Sequence, residues 1–168
     1  MSTLETIHYT TPPTPDQLEA AACLIDSTLN RPMKRGRFHR APFFVVALNT
    51  RAEVVGVAAI RRMKRGVAEF GHLAVDEAYR RQGIGTRLTE RVISEARRQK
   101  IPMLYAWVEK TNVASMDNLG NFEFRLFGDY VRRPGKSVVK SWLYLPLSTE
   151  IDCNAVMEEI VSHLTKVG

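Results

Sequence analysis

Apolar positions along the chain change their spacing several times, and each change marks an element. Residues 7–9 alternate as a short strand does, and the prolines at 12, 13 and 15 bar a helix directly after it. From Asp16 the apolar residues Leu18, Ala21, Ala22, Ile25 and Leu29 recur at helical spacing, which predicts a helix with one apolar face. Pro32 and Gly36 interrupt residues 31–40, which read as a loop with at most one helical turn. Phe43–Leu48 and 54–60 are strand-length apolar runs joined by a five-residue polar turn, hence a hairpin. A second turn over 63–66 leads to a third strand, Val67–Val75.

The period then shifts from 2 to 3.6. Ile84, Leu88, Val92, Ile93 and Ala96 place an apolar stripe on a helix reaching Lys100. A buried strand over 102–108, a short helix over 114–122, and strands over 124–130 and 137–146 flanking the turn 132–135 complete the core. A last helix over 150–166 carries Cys153, Val156, Met157, Ile160 and Leu164 on one side, with Thr149 as its N-cap. Strands, then βα, β, α and a closing hairpin predict an α/β fold: one mixed, mostly antiparallel sheet flanked by helices. The expected organisation is one domain over 1–147, with a helical extension over 148–168 packed on it.

A length of 168 residues with 45% hydrophobic content suits one core of ordinary size. No apolar run approaches a membrane span, and residues 1–5 lack the basic and apolar regions of a secretory leader, so a cytoplasmic protein with no membrane partner is expected. Cys23 and Cys153 stand far apart in no metal-ligand spacing; no metal site is expected, and neither is a candidate nucleophile. The net charge of +6 is clustered, in Arg31, Lys34, Arg35, Arg37 and Arg40, in Arg61, Arg62, Lys64 and Arg65, and in Arg132, Arg133 and Lys136. Such patches attract polyanions, yet no aromatic-interleaved RNA motif accompanies them, so a phosphate-bearing cofactor accounts for the charge better than nucleic acid does.

The chemistry concentrates where the third strand gives way to the helix. In Arg80-Arg81-Gln82-Gly83-Ile84-Gly85-Thr86 the two glycines remove side chains that would hold a ligand off the backbone. Amides of the first helical turn have no intrahelical partner, and with the helix dipole they make a pyrophosphate site, to which Arg80 and Arg81 add charge. The third glycine of a dinucleotide fingerprint and the Gly-Lys-Ser/Thr of a P-loop are both missing.

The run from Leu73 through Gly85 resembles the acetyl-CoA motif of the GNAT superfamily, Arg/Gln-x-x-Gly-x-Gly/Ala, which falls here on Arg80, Gly83 and Gly85. A second family element is similar to Asn112-Val113-Ala114-Ser115, with Leu119 and Phe124 at the later spacings. The resemblance covers about 41–145. It implies an N-acetyltransferase in which the backbone of Leu73, Ala74 and Val75 pairs with the pantetheine arm of acetyl-CoA. Amides of Arg81, Gln82, Gly83, Ile84, Gly85 and Thr86 would hold the pyrophosphate, and Asn112 and Ser115 would touch the arm or the phosphates. Direct transfer to an amine is implied, with a base to take its proton. Glu69, eleven residues before Arg80, matches the glutamate of histone-acetylating members and is the candidate base. His72, three residues on, points to the opposite face of a regular strand, unless the bulge that members often carry here brings it round.

Two positions depart from the family. The tyrosine that often protonates the leaving thiolate is Leu119 here, and the glycine that usually precedes Phe124 is Glu123. Members resembling the ribosomal-protein acetyltransferases also carry a glutamate where this chain has Trp107, which argues against that subgroup. The function these readings imply is acetyl transfer to a primary amine of a small molecule or protein. The acceptor, with acidic character favoured, is expected between the loop 31–40 and the turn 132–136. An acetyl-CoA-binding module without turnover and an acyltransferase acting on an RNA-linked amine such as aminoacyl-tRNA are the competing readings, and a homodimer is left open.

Overall fold

A computed structural model describes residues 4–29, 32–135 and 138–168. Arg31 and Lys136 of the basic clusters, Ser137 of the last expected strand, and residues 1–3 lie outside the described residues. Strands β1 (His8–Thr10), β2 (Phe43–Leu48), β3 (Val54–Lys64), β4 (Val67–Val75), β5 (Met103–Glu109), β6 (Arg125–Val131), β7 (Lys140–Pro146) and β8 (Thr165–Lys166) form one sheet in the order β1-β2-β3-β4-β5-β7-β6-β8. The helices are α1 (Pro15–Leu29), α2 (Arg35–His39), α3 (Ile84–Arg98), α4 (Val113–Asn121) and α5 (Cys153–Ile160). Mixed α/β architecture is therefore what the chain adopts. None of the described helices is long and apolar enough to cross a membrane.

The chain folds as two compact units, Met1–Met63 with Phe70–Glu95, and Lys64–Glu69 with Ala96–Gly168. In the first, β2 and β3 pair antiparallel from Phe43↔Ile60 to Leu48↔Val54 and are covered on both faces, which is why they read as continuous apolar runs. One face meets Ala21, Ala22 and Ile25 of α1 and Phe38 of α2, through Phe44, Val46, Val57 and Ala59. On the other, α3 comes so close that a Cβ on Gly56 would stand 2.9 Å from Leu88 Cδ1 and 3.1 Å from Ile84 Cγ2. Gly56 thereby sets the depth at which the N-terminal turn of α3 sits. Leu29, expected on the apolar face of α1, is half exposed at its end.

In the second unit β5 pairs with β7 antiparallel over its whole length, from Met103↔Pro146 to Glu109↔Lys140, and parallel with β4 at Ala68↔Leu104 and Glu69↔Tyr105. Met157 and Ile160 of α5 close a cluster with Val67, Met103, Tyr105, Tyr130 and Trp142. The C-terminal helix is half the expected length. Asp152, not Thr149, caps it, accepting from Ala155 N at 3.1 Å. It stops after Ile160 because the Ser162 hydroxyl takes the Glu159 carbonyl (2.8 Å), after which the chain turns and adds β8 to β6. Leu164 continues the apolar stripe from the turn rather than from the helix, which is what made the period run on.

Helix α4 ends in a double-bonded cap, Glu123 N to Gly120 O (3.0 Å) and Phe124 N to Leu119 O (3.1 Å), with Glu123 left-handed at φ 69°. This is the position where the family's glycine is replaced. Glu123→Gly is expected to raise stability by about 1 kcal/mol, the order of the left-handed penalty a β-carbon carries. Chemical denaturation would read it as a higher midpoint at unchanged slope; a lowered midpoint would refute it.

Candidate active site

Strand β4 carries most of the sequence-predicted residues, and its backbone departs from regularity within them. His72 has φ 53°, so the rule that alternate residues face alternate sides does not hold through it. Leu73, Ala74 and Val75 follow it, with Ala74 buried. The chain then passes Asp76, whose N–H donates to Val55 O (2.8 Å) and whose carboxylate caps a 3₁₀ turn, Glu77–Tyr79, through Ala78 N (2.9 Å).

Tyr79 anchors that turn. Its hydroxyl donates to the Glu5 carboxylate (3.0 Å) and accepts from Asn49 Nδ2 (3.1 Å). Glu5 also receives the Thr50 amide (2.9 Å) and hydroxyl (2.6 Å), and these donors hold its carboxyl below the usual range. Asn49 is buried and bonded at both ends, to Glu53 through its amide nitrogen and to Arg51 N and Glu53 N through its oxygen. The loop into α3 is thus tied to the β2–β3 turn and to the N-terminal segment. The linear sequence held no signal for this network, because its members lie 30 and 74 residues apart.

Arg81 (φ 62°) and Gly83 (φ 79°) are both left-handed, and the first intrahelical bond of α3 is Arg87 N to Gly83 O at 3.0 Å. Ile84, Gly85 and Thr86 therefore occupy the positions whose amides have no partner in the helix. A Cβ added to Gly83 would meet nothing within 4 Å, and one on Gly85 only Val75 Cγ2 at 3.8 Å. Packing thus does not require glycine at 85. The empty space over these amides is the cradle that a pyrophosphate needs, and Arg80, Arg81 and Gln82 stand exposed beside it. The donor set and the space both fit coenzyme A.

His72 is packed among aromatic rings. Its ring lies 5.0 Å from that of Phe38, edge-on, and 6.2 Å from that of Phe44, stacked. Burial, and then the charges of Arg61 and Arg62, push its pKa down to about 3, so it is neutral near pH 7. Arg61 is held beside it: a Cβ on Gly71 would fall 2.2 Å from Arg61 Cδ, so only glycine lets that side chain lie across the strand.

Glu69, Asn112, Ser115 and Leu119 belong to the other unit. Glu69 is 3% exposed, opposite Tyr105. Asn112 lies beyond the end of β5 and caps α4, accepting from Ser115 N at 3.1 Å, so both members of the second family element are engaged at one helix start. Leu119 is buried in the core and offers no proton. Arg35, counted among the clustered charges, is a strut rather than a free cation. It bonds Asp26 (2.8 Å) and Glu19 (3.2 Å) of α1 and the Met33 carbonyl (3.2 Å), and it holds the Asp26 carboxyl below the usual range. Arg132 and Arg133 lie in the second unit, whereas Lys34, Arg37 and Arg40 lie in the first.

Residues 4–120 match the family model described as "Acetyltransferase (GNAT) family". The chain belongs to that family. It is an N-acetyltransferase whose cosubstrate is acetyl-CoA. No curated protein matches by sequence. Among solved structures, the chain is similar to one in the NatC complex bound to Gag peptide and CoA (TM-score 0.74, 23% identity, 84% of this chain and 99% of that one). It is also similar to the ribosomal-protein-S18-alanine N-acetyltransferase from Escherichia coli (TM-score 0.74, 19% identity, 88% and 98%). A third is an acetyltransferase of the GNAT family from Staphylococcus aureus Mu50 (TM-score 0.70, 19% identity, 85% and 100%). At these identities the likeness is one of fold.

Proposed function

We propose that the enzyme transfers the acetyl group directly to the primary amine of a small molecule or protein, in a reducing, cytoplasmic setting that suits its two free cysteines. The observation that carries the reading is the open glycine cradle over the first amides of α3. Amides from Arg81 to Thr86 bind the pyrophosphate, with Arg80 and Arg81 supplying charge, and the backbone at Leu73, Ala74 and Val75 binds the pantetheine arm as an added strand. Asn112 and Ser115 contribute through the α4 cap. When bound, the cosubstrate supplies an acetyl thioester. Glu69 accepts the proton that the acceptor nitrogen loses as its bond to the acetyl carbon forms and the carbon–sulfur bond breaks. His72 binds protons too weakly near neutral pH for that task and stays a neutral imidazole against Phe38 and Phe44. With Leu119 buried, the leaving thiolate takes its proton from water.

The test is release of CoA thiol from acetyl-CoA over a panel of primary amines, with a matched panel of tertiary amines. Release that depends on a primary amine, with the acetylated amine recovered, is the expected result. Release at the same rate without any amine would overturn the reading in favour of simple hydrolysis.

A further inference from the structure

The connection between β4 and α3, residues 76–83, has one 3₁₀ turn as its regular structure, yet the proposed pyrophosphate amides begin inside it. Tyr79 stands in its middle, two residues before the left-handed Arg81. Its hydroxyl donates to Glu5 Oε2 and accepts from Asn49 Nδ2, and both partners are themselves held. Glu5 Oε1 receives the amide and hydroxyl of Thr50, and the pairing of β1 with β2 from His8↔Leu48 brings the N-terminal segment alongside that turn. Asn49 is buried. Its Nδ2 also donates to Glu53 Oε2 (2.7 Å), and its Oδ1 accepts from Arg51 N (3.0 Å) and Glu53 N (2.9 Å). Every member of this clamp lies in the first unit, as do residues 81–86.

Further ties of the connection are to nearby backbone. Asp76 N donates to Val55 O (2.8 Å), Tyr79 N to Asp76 O (2.9 Å), and Arg80 Nε to Val75 O (3.3 Å). The Tyr79 hydroxyl adds the tie to residues distant in sequence. A ligand held by several backbone amides binds tightly only if they already converge, because ordering a loose loop on binding costs free energy at that moment. We infer that the Tyr79 hydroxyl, clamped between Glu5 and Asn49, is a positioning group for the pyrophosphate cradle, so that the N-terminal segment helps set the affinity for acetyl-CoA. The inference rests on the reading of the first α3 amides as the pyrophosphate donors. Tyr79 acts through the backbone of Arg81, Gln82 and Gly83 rather than on the cosubstrate. Coupling between two sites is reciprocal, so bound acetyl-CoA tightens the hold on Glu5 by the same factor. Thr50, whose amide donates to Glu5, reports that hold directly.

The experiment is calorimetric titration of acetyl-CoA into the whole protein, into its Tyr79→Phe, Glu5→Ala and Glu5→Gln variants, and into Gly85→Glu as the cradle control. Tyr79→Phe keeps the ring, removes both hydroxyl bonds, and should raise the acetyl-CoA Kd about 3- to 10-fold, the scale of one net hydrogen bond. In turnover the KM for acetyl-CoA should rise likewise, with kcat at saturating cosubstrate within about twofold of wild type. Glu5→Ala should weaken binding to a similar degree and Glu5→Gln less, since its amide oxygen still accepts from the hydroxyl. Tyr79→Phe combined with Glu5→Ala should weaken it no further than either alone, as partners in one contact do. Exchange of the Thr50 amide should slow when acetyl-CoA is added to the wild type. A clamp that serves only the fold would lower the thermal midpoint of the unliganded variants and leave Kd unchanged, and that result overturns the inference. So does a loss in which the two substitutions simply add, or Thr50 exchange indifferent to acetyl-CoA. If Gly85→Glu binds acetyl-CoA as the wild type does, the pyrophosphate reading falls and the inference with it. Binding lost in Gly85→Glu but unchanged in Tyr79→Phe defeats the clamp alone.

Discussion

Glu69→Gln is expected to lower kcat by about 10²–10⁴, the usual contribution of a positioned general base, while the affinity for acetyl-CoA stays within about twofold. Glutamine preserves the volume and shape of the side chain, which matters at a site only 3% exposed, and it cannot accept the amine's proton. The backbone pairing opposite Tyr105 does not depend on the side chain, so the strand itself should persist. Rates on the amine panel and the acetyl-CoA-induced thermal shift must be measured on the same preparation. A rate equal to wild type would remove Glu69 from the chemistry. A parallel loss of cofactor binding or of the fold would instead assign it a structural part. Glu69→Ala is a poorer probe, because it opens a cavity and confounds the two outcomes.

The limits of β2 and β4 were legible because a strand buried on both faces, or ended by a glycine-rich turn, announces itself in composition. β3 runs past its expected end at Ile60, through Arg61 and Arg62 and into the residues expected to turn. Its apolar run stops at Ile60, but Arg65 and Gly66, both left-handed, make the tightest hairpin loop and let the strand continue to Lys64. The two-residue β8 could not be seen, since Thr165 and Lys166 are ordered by pairing with Val131 and Tyr130, 34 and 36 residues away. At the site, the glycine turn that opens α3 was legible, because its requirement is local backbone, whereas its reading as a phosphate cradle rested on the resemblance around it. Its support was not: Tyr79, Asn49 and Glu5 meet only in three dimensions. Charge counting likewise failed to divide the basic loop. Among the described residues of that loop, Arg35 is consumed by α1, whereas Arg37 and Arg40 are exposed.

Gly85→Glu is expected to abolish the stabilisation that acetyl-CoA gives the wild type, about 2.7 kcal/mol at a hundredfold excess over Kd. The two glycines of the cradle differ in what they tolerate. Gly83 sits at φ 79°, so any side chain there strains the backbone and mixes a stability defect with a binding defect. Gly85 is an ordinary helical position with open space above it, its nearest neighbour being Val75 Cγ2 at 3.8 Å from a built Cβ. A glutamate therefore fits without displacing anything, gains helix propensity over glycine, and places a negative charge where the helix dipole favours one. The variant without cofactor should melt at or slightly above the wild-type midpoint. With millimolar acetyl-CoA the wild type should rise by several degrees and the variant not at all, since the carboxylate occupies the cradle and repels the phosphates. If the variant still responds to acetyl-CoA as the wild type does, the amides of Ile84, Gly85 and Thr86 are not the pyrophosphate donors, and the cradle is only the way α3 begins.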